Sequence, residues 1–293
     1  MRLLELPKIY KLSHPCLKPG TLDQYARACR SLSRSCTKSM QLLELSKAAM
    51  LQWIARRLEE VSARTVKRER GDVLTLWRFA FAEGYHPLNP DTLRIPTITV
   101  PRKSPVCWEL ADVEKLLGAC DTLDGNMRGL DIQKADWWRS LVLFLYDTGA
   151  RPSAALQVMA ADISLSCGSV TLRGEVAKTG CDTVCMLSDQ TIKAIKLHFD
   201  PSQEFVWPWP CHRRQLWATS KRLNHLAGLP EDRYHSLGCM RRTAASYTAA
   251  HGSIEMAQRL LGHTSATTTL RHYIDPRIAQ QQSAIDVLPR PKF

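Results

Sequence analysis

Residues 86–105 read HPLNPDTLRIPTITVPRKSP, with prolines at 87, 90, 96, 101 and 105 and no helical period. Proline fixes φ and withholds an amide donor, so this run predicts a semi-extended linker over 87–105. It is the best domain boundary in a 293-residue chain whose length alone suggests two domains. The two sides of the linker differ in pattern. Upstream, apolar residues recur at helical spacing behind serine and threonine starts. Thr21 caps a helix to about Ser33, with Leu22, Tyr25, Ala26, Cys29 and Leu32 on one face. Ser46 opens a second, sending Met50, Trp53, Ile54, Leu58 and Val61 inward. Ser62 opens a third that runs toward Gly84, with Val73, Leu76, Trp77, Ala80 and Phe81 as core.

Downstream, the pattern is mixed. Trp108 to Cys120 and Trp137 to Asp147 read as helices, the second apolar enough to be central. Ser169–Arg173 and Thr183–Leu187 alternate as strands around Lys178-Thr179-Gly180, a β-hairpin with Lys178 near its tip. Ser188, Ser236 and Ser253 start further helices. The fold class is therefore mainly α with a small β-sheet. A helical domain at 16–86 precedes a mixed α+β domain at 106–274. Residues 1–15 are an arm or a disordered lead, and 275–293 form a tail.

Charge follows the same division. The chain holds 40 Lys and Arg against 28 Asp and Glu, a net charge of +12. Residues 1–104 carry 19 against 9, and residues 105–293 carry 21 against 19. A cationic first half points to an anionic partner, nucleic acid first. Arg64, Lys67, Arg68 and Arg70 concentrate that charge on the first turns of the third helix and are the candidate DNA contacts. No apolar run approaches the roughly 20 residues of a membrane span, and Glu5, Pro7 and Lys8 interrupt any signal-peptide core. The ten cysteines contain no C-x-x-C pair, so reduced thiols in a cytoplasmic protein are expected rather than a metal site or disulfides.

Four segments of the second domain carry chemistry-bearing residues in a suggestive order. They are TGAR ending at Arg151, AKTG with Lys178, GCMRRT with Arg241, and LLGH ending at His263, followed ten residues later by Tyr273 in HYIDP. Taken singly, each has an ordinary structural reading: a helix-end arginine, an exposed turn lysine, a Gly-His helix stop, a packing tyrosine. Together they resemble the catalytic domain of the tyrosine recombinases (phage integrases), and the helical first domain and linker extend the resemblance over nearly the whole chain.

The resemblance implies a site-specific recombinase that cleaves and rejoins double-stranded DNA through a 3′-phosphotyrosine, using neither metal, cofactor nor ATP. Tyr273 would be the nucleophile, a phenol with pKa ~10 that needs cationic surroundings. Arg151 and Arg241 would fork onto the phosphate oxygens. Lys178 would protonate the departing 5′ oxygen, and His263 would bond a phosphate oxygen or steer the tyrosine. It further implies a homo-oligomer, a tetramer on DNA, with the 275–293 tail docking in trans, in a nucleoid-associated protein. Two positions depart from the pattern. Gly238 stands where the family has a histidine, and Ala154 where it has a carboxylate. His235 is the accessory candidate if the intervening loop folds back. Reduced activity is the expectation. The alternatives are a catalytically impaired DNA-binding or architectural protein of the same fold, and a relaxing topoisomerase of the same catalytic type. Of the adjacent pair Arg241 and Arg242, which point roughly 100° apart on a helix, the motif selects Arg241.

Overall fold

The computed structural model describes residues 1–36, 40–101, 103–175, 180–232 and 234–279. The chain divides into two units, Met1–Arg102 and Lys103–Phe293, each built on its own hydrophobic core.

The first unit carries α1 (Leu6–Ser13), α2 (Pro19–Cys36), α3 (Lys47–Glu60) and α4 (Ala63–Ala82). The Ser46 hydroxyl accepts from the Ala49 amide at 3.2 Å, and the Ser62 hydroxyl from the Thr65 amide at 3.3 Å, so both helices start where their capping residues stand. Cys29 and Leu32, Met50 and Trp53, and Val73, Leu76 and Trp77 fill the core between them. Leu58 and Phe81, expected inward, are exposed at 44% and 40% because each lies at the edge of its helix's apolar stripe. The buried indoles find acceptors. Trp53 Nε1 donates to Ser31 Oγ at 3.1 Å, and Trp77 Nε1 donates to His86 Nδ1 at 3.0 Å. Because Nδ1 of His86 accepts, its Nε2 carries the proton and donates to the Leu45 carbonyl at 3.0 Å.

The leading residues differ from the arm or disordered lead that composition suggested. Leu3–Glu5 form a 3-10 turn that runs into α1, with Leu3 and Leu6 in the core. Their backbone pairs as well: Leu3 N donates to Met40 O and Leu42 N to Met1 O, each at 3.0 Å. Two leucines with somewhere to go outweigh the cost of ordering a terminus. The proline-rich run is also less free than its composition implies, since His86, Pro90 and Ile95 are buried in the first unit.

The second unit begins with α5 (Leu110–Asp121) and the central α6 (Lys134–Thr148), followed by the single turn α7 (Pro152–Ala155). A three-stranded antiparallel sheet comes next, in the order β1 (Ile163–Ser164), β2 (Ser169–Leu172), β3 (Thr183–Met186). Val170 pairs with Ile163 on one side and Cys185 on the other. β1 is two residues long, too short for any alternation to show in sequence. The hairpin tip bearing Lys178 lies outside the described residues. Then follow α8 (Asp189–Lys196), α9 (Arg213–Leu226), α10 (Leu237–His251), α11 (Ile254–Leu260), α12 (Ala266–His272) and α13 (Pro276–Ala279). Ser188, Ser236 and Ser253 stand at the N-caps of α8, α10 and α11. Of the expected tail, residues 280–293 lie outside the described residues. Among those described, no helix is long and apolar enough to cross a membrane.

α6 is the pivot of this unit. Trp137, Trp138, Leu141, Val142, Phe144 and Leu145 are all buried, and α5, α8 and α10 pack around them. Trp207 seats its ring 4.4 Å from Phe144 and donates its indole proton to Ser140 Oγ at 3.0 Å. Phe144→Ala is expected to cost about 3–5 kcal/mol of stability through lost burial and the cavity left behind. Urea unfolding followed by tryptophan fluorescence measures it; a loss below about 1 kcal/mol would contradict the central place of α6.

Candidate active site

The glycine-terminated ends of α6 and α11 converge on one arginine. α6 stops at Gly149, whose φ of 58° is the left-handed conformation that a glycine adopts without strain. A Cβ there would also stand 3.1 Å from Leu261 Cδ2. Thr148 braces the stop, donating its hydroxyl to Phe144 O at 2.7 Å and accepting from Ala150 N at 3.2 Å. α11 stops in the same way at Gly262, with φ 61°. The carbonyls left over at these stops are Gly149 O and Leu261 O. Arg241 on α10 takes both, through Nη1 at 2.7 Å and Nη2 at 2.6 Å. Helix C-termini carry partial negative charge, so they suit a guanidinium without neutralising it.

Arg241 is only 6% exposed, and among the described residues no carboxylate pairs with it. Its Nε is buried with no hydrogen-bond partner among the described residues. Desolvation, and then the nearby Arg151, push its pKa down, while Tyr273 pulls it up. Arg151 is half-buried at the N-cap of α7, where its carbonyl accepts from Ala154 N at 2.8 Å and Ala155 N at 3.0 Å. Two like charges thus act on one another here, and among the described residues no carboxylate pairs with Arg241.

His263 follows the α11 stop directly. Its Nε2 lies 3.2 Å from Arg241 Nη2 and its Nδ1 lies 2.9 Å from Thr269 Oγ1. Burial first, then Arg241, Arg151 and His272, lower its pKa to about 4, so the imidazole is neutral at physiological pH. Tyr273 ends α12. Its ring centroid is 4.7 Å from that of His263, and Arg241 Cζ is 5.3 Å from the same ring. The nucleophile candidate is anchored through its backbone. Ser246 Oγ, on α10, donates to Tyr273 O at 3.1 Å and accepts from Asp275 N at 2.8 Å. Asp275, 1% exposed, accepts in turn from Cys107 N at 3.0 Å and from Arg277.

The structure therefore brings together Arg151, Arg241, His263 and Tyr273. Lys178 lies outside the described residues. Arg242 points elsewhere, its Nη2 on Cys239 Sγ at 2.7 Å. His235 is held away from this group. Its Nδ1 sits 2.9 Å from Asp232 Oδ1, its Nε2 sits 3.6 Å from Asp112, and its ring lies against Trp108. The fold-back that would bring it to Tyr273 does not occur, because these partners satisfy the ring where it stands. Gly238 is exposed on the first turn of α10, and an added Cβ would meet only Ser236 Oγ, at 3.8 Å.

In the first unit, Arg64, Lys67 and Arg68 are exposed on α4, but Arg70 is not part of that surface. Its Nη2 donates to Ile95 O at 2.7 Å, and burial lowers its pKa. A second concentration of arginines was not anticipated. Arg27, Arg30 and Arg34 on α2 line a groove with Arg56 and Arg57 on α3. Their 27, 30, 34 spacing is helical and could have been read as one face. Ser246 has no motif to mark it in the sequence, whereas Thr269 lies one helical turn before Tyr273, a spacing that places it beside the site.

The phage integrase family model matches residues 109–279, which contain Arg151, Arg241, His263 and Tyr273. The chain belongs to the phage integrase family. A tyrosine recombinase XerD of Xanthomonas axonopodis pv. citri (strain 306) is 23% identical over 271 residues, covering 85% of each protein. Among solved structures, a lambda integrase dimer bound to a COC′ core site is 19% identical with a TM-score of 0.72, over 94% of this chain and 96% of that one. A lambda integrase tetramer bound to a Holliday junction is 18% identical with a TM-score of 0.70, over 91% and 79%.

Two outcomes test the geometry. Gly149→Ala forces a side chain into the left-handed region against Leu261, and a loss of about 1–2 kcal/mol is expected in thermal unfolding. The depressed histidine makes its own signature. Its folded pKa is below the unfolded value, so the unfolded chain binds the proton first. The contribution of His263 to stability should fall as pH drops from about 6.5 toward the value of about 4, and change no further below it. His263→Gln should flatten that stretch of the stability profile, and an unchanged slope would place the imidazole elsewhere.

Proposed function

We propose that this chain is a site-specific DNA recombinase that cleaves and rejoins double-stranded DNA through a 3′-phosphotyrosine at Tyr273. The observation that carries the reading is the tyrosine ring set beside a guanidinium whose own ligands are backbone carbonyls, with the charge of a second arginine acting on it. Among the described residues no carboxylate offsets the charge of Arg241, and the pentavalent phosphate formed when a phenol attacks a diester has the matching negative charge. Arg151 and Arg241 hold the non-bridging oxygens. Lys178 delivers a proton to the departing 5′ oxygen. The phosphotyrosine keeps the energy of the broken bond, so rejoining needs no ATP. With guanidinium groups supplying the charge, the scheme calls on no cofactor.

Arg64, Lys67 and Arg68, exposed on α4, contact the DNA backbone. Assembly into a homo-oligomer on DNA, with the 275–293 tail docking between protomers, is part of the reading. It is supported by the lambda integrase dimer and tetramer solved on DNA. A second reading, an impaired binder of the same fold, is favoured by Gly238 and Ala154, which leave two supporting positions without functional side chains.

A nicked suicide duplex separates them. The recombinase traps a covalent adduct that Tyr273→Phe abolishes, whereas the binder shifts the duplex without an adduct. Arg151→Ala or Arg241→Ala should cut adduct formation about 10²–10³-fold while binding changes much less; equal losses in both would remove the arginines from the site. Strand exchange between two duplexes then distinguishes recombination from simple relaxation. Binding should weaken linearly in log[salt]. Each of Arg64→Gln, Lys67→Gln and Arg68→Gln should reduce that slope by about 1 if its side chain meets a phosphate.

A further inference from the structure

Attack by a phenol releases a proton, and among the described residues the surroundings of Tyr273 restrict where that proton can go. Arg151 and Arg241 have only donors to offer. Gly238 has no side chain, and His235 is engaged by Asp232. Asp275, two residues beyond the tyrosine, is occupied by Arg277 and the Cys107 amide. His263 faces the Tyr273 ring at 4.7 Å.

We infer that His263 Nε2 accepts the phenolic proton of Tyr273 during cleavage and returns it on rejoining, and that Thr269 fixes the tautomer this requires. The inference rests on the reading of Tyr273 as nucleophile. The tautomer follows from donor chemistry. A guanidinium cannot accept, so the 3.2 Å contact from Arg241 Nη2 needs a lone pair on His263 Nε2. The imidazole proton is then on Nδ1 and is donated to Thr269 Oγ1 at 2.9 Å. Thr269 is fully buried, and its carbonyl accepts the Tyr273 amide at 2.9 Å. One residue thus aims the imidazole and begins the turn that carries the phenol. Thr269 is a positioning residue, acting through the ring it holds.

The step balances as follows. Arg241 Nη2 leaves Nε2 for a non-bridging phosphate oxygen. The phenolic O–H breaks toward Nε2 as the Tyr273 oxygen bonds to phosphorus. The bond from phosphorus to the 5′ oxygen breaks, its electron pair stays on that oxygen, and the general acid protonates it. Rejoining reverses each transfer. Among the described residues, the charged and titratable groups acting on His263 are Arg241 from α10, Arg151 from the start of α7, and His272 and Tyr273 at the end of α12. Without DNA, burial and the positive groups among them hold the imidazole near pKa 4, a weak base. A phosphate anion between the two arginines offsets their repulsion, so arrival of the substrate strengthens the base that it needs.

The test replaces Tyr273 with 2,3,5-trifluorotyrosine by genetic code expansion in the full chain, because a phenol of lower pKa depends less on a base. With tyrosine at 273, His263→Ala should slow adduct formation on the suicide duplex about 10²-fold or more. With trifluorotyrosine, the deficit should shrink to less than about 10-fold. An equal deficit with both nucleophiles would overturn the proposal and leave His263 as a phosphate contact. Absence of any adduct from the native chain would instead overturn the nucleophile reading itself. For Thr269, the acid limb of the pH–rate profile is the readout. Thr269→Val should move it and Thr269→Ser restore it, whereas an unmoved limb in a folded valine variant would remove Thr269 from this role.

Discussion

One guanidinium organises the second unit. Arg241 is buried between the ends of α6 and α11, and it is held by what those ends leave unsatisfied, the carbonyls of Gly149 and Leu261. Burying a lone cation is expensive, and here the expense is met by dipoles rather than by a counter-ion. A carboxylate partner would have stabilised the arginine more simply, but it would have cancelled the charge. Carbonyl ligands hold the group in place and keep its attraction for anions. The glycines, the threonine brace before Gly149 and the close packing of Leu261 against that glycine serve this one arrangement.

The remainder of the site is arranged around that cation. Arg151 adds like charge from the start of α7, and burial first, then both arginines, lower the pKa of His263. Tyr273 approaches the same point, and its backbone is tied to α10 by Ser246, five residues along the helix from Arg241. A single helix therefore sets the distance between the phosphate-binding candidate and the nucleophile candidate.

Much of this was legible because it is local. Serines stand at the starts of α3, α4, α8, α10 and α11, and all but Ser236 accept an amide of the first turn through the side chain, a cap within three residues. The motifs TGAR, MRRT, LGH and the tyrosine are local in the same way: each is a helix end or lies on a helix face. What sequence left hidden depends on partners far along the chain. Arg70 reads as one more basic residue until Ile95, 25 positions on, accepts from it. His235 reads as a spare histidine until Asp112 and Trp108 close around it. The helix formed by 6–13 was unreadable as core because its two anchoring leucines are visible only against the whole first unit. β1 is too short to carry any pattern.

The carbonyl grip on Arg241 has a consequence for how such a site is mapped. Side-chain deletion removes arginines, a histidine and a tyrosine one at a time, and it leaves every main-chain oxygen in place. Mutational scanning will thus count the charged residues and overlook the two ligands that hold the central one. Its signal at Gly149 and Gly262 will look like a folding defect. A backbone ester in place of a single peptide bond, introduced by semisynthesis, weakens one carbonyl acceptor without touching any side chain. The chemistry of this pocket is written partly in residues whose identity is glycine.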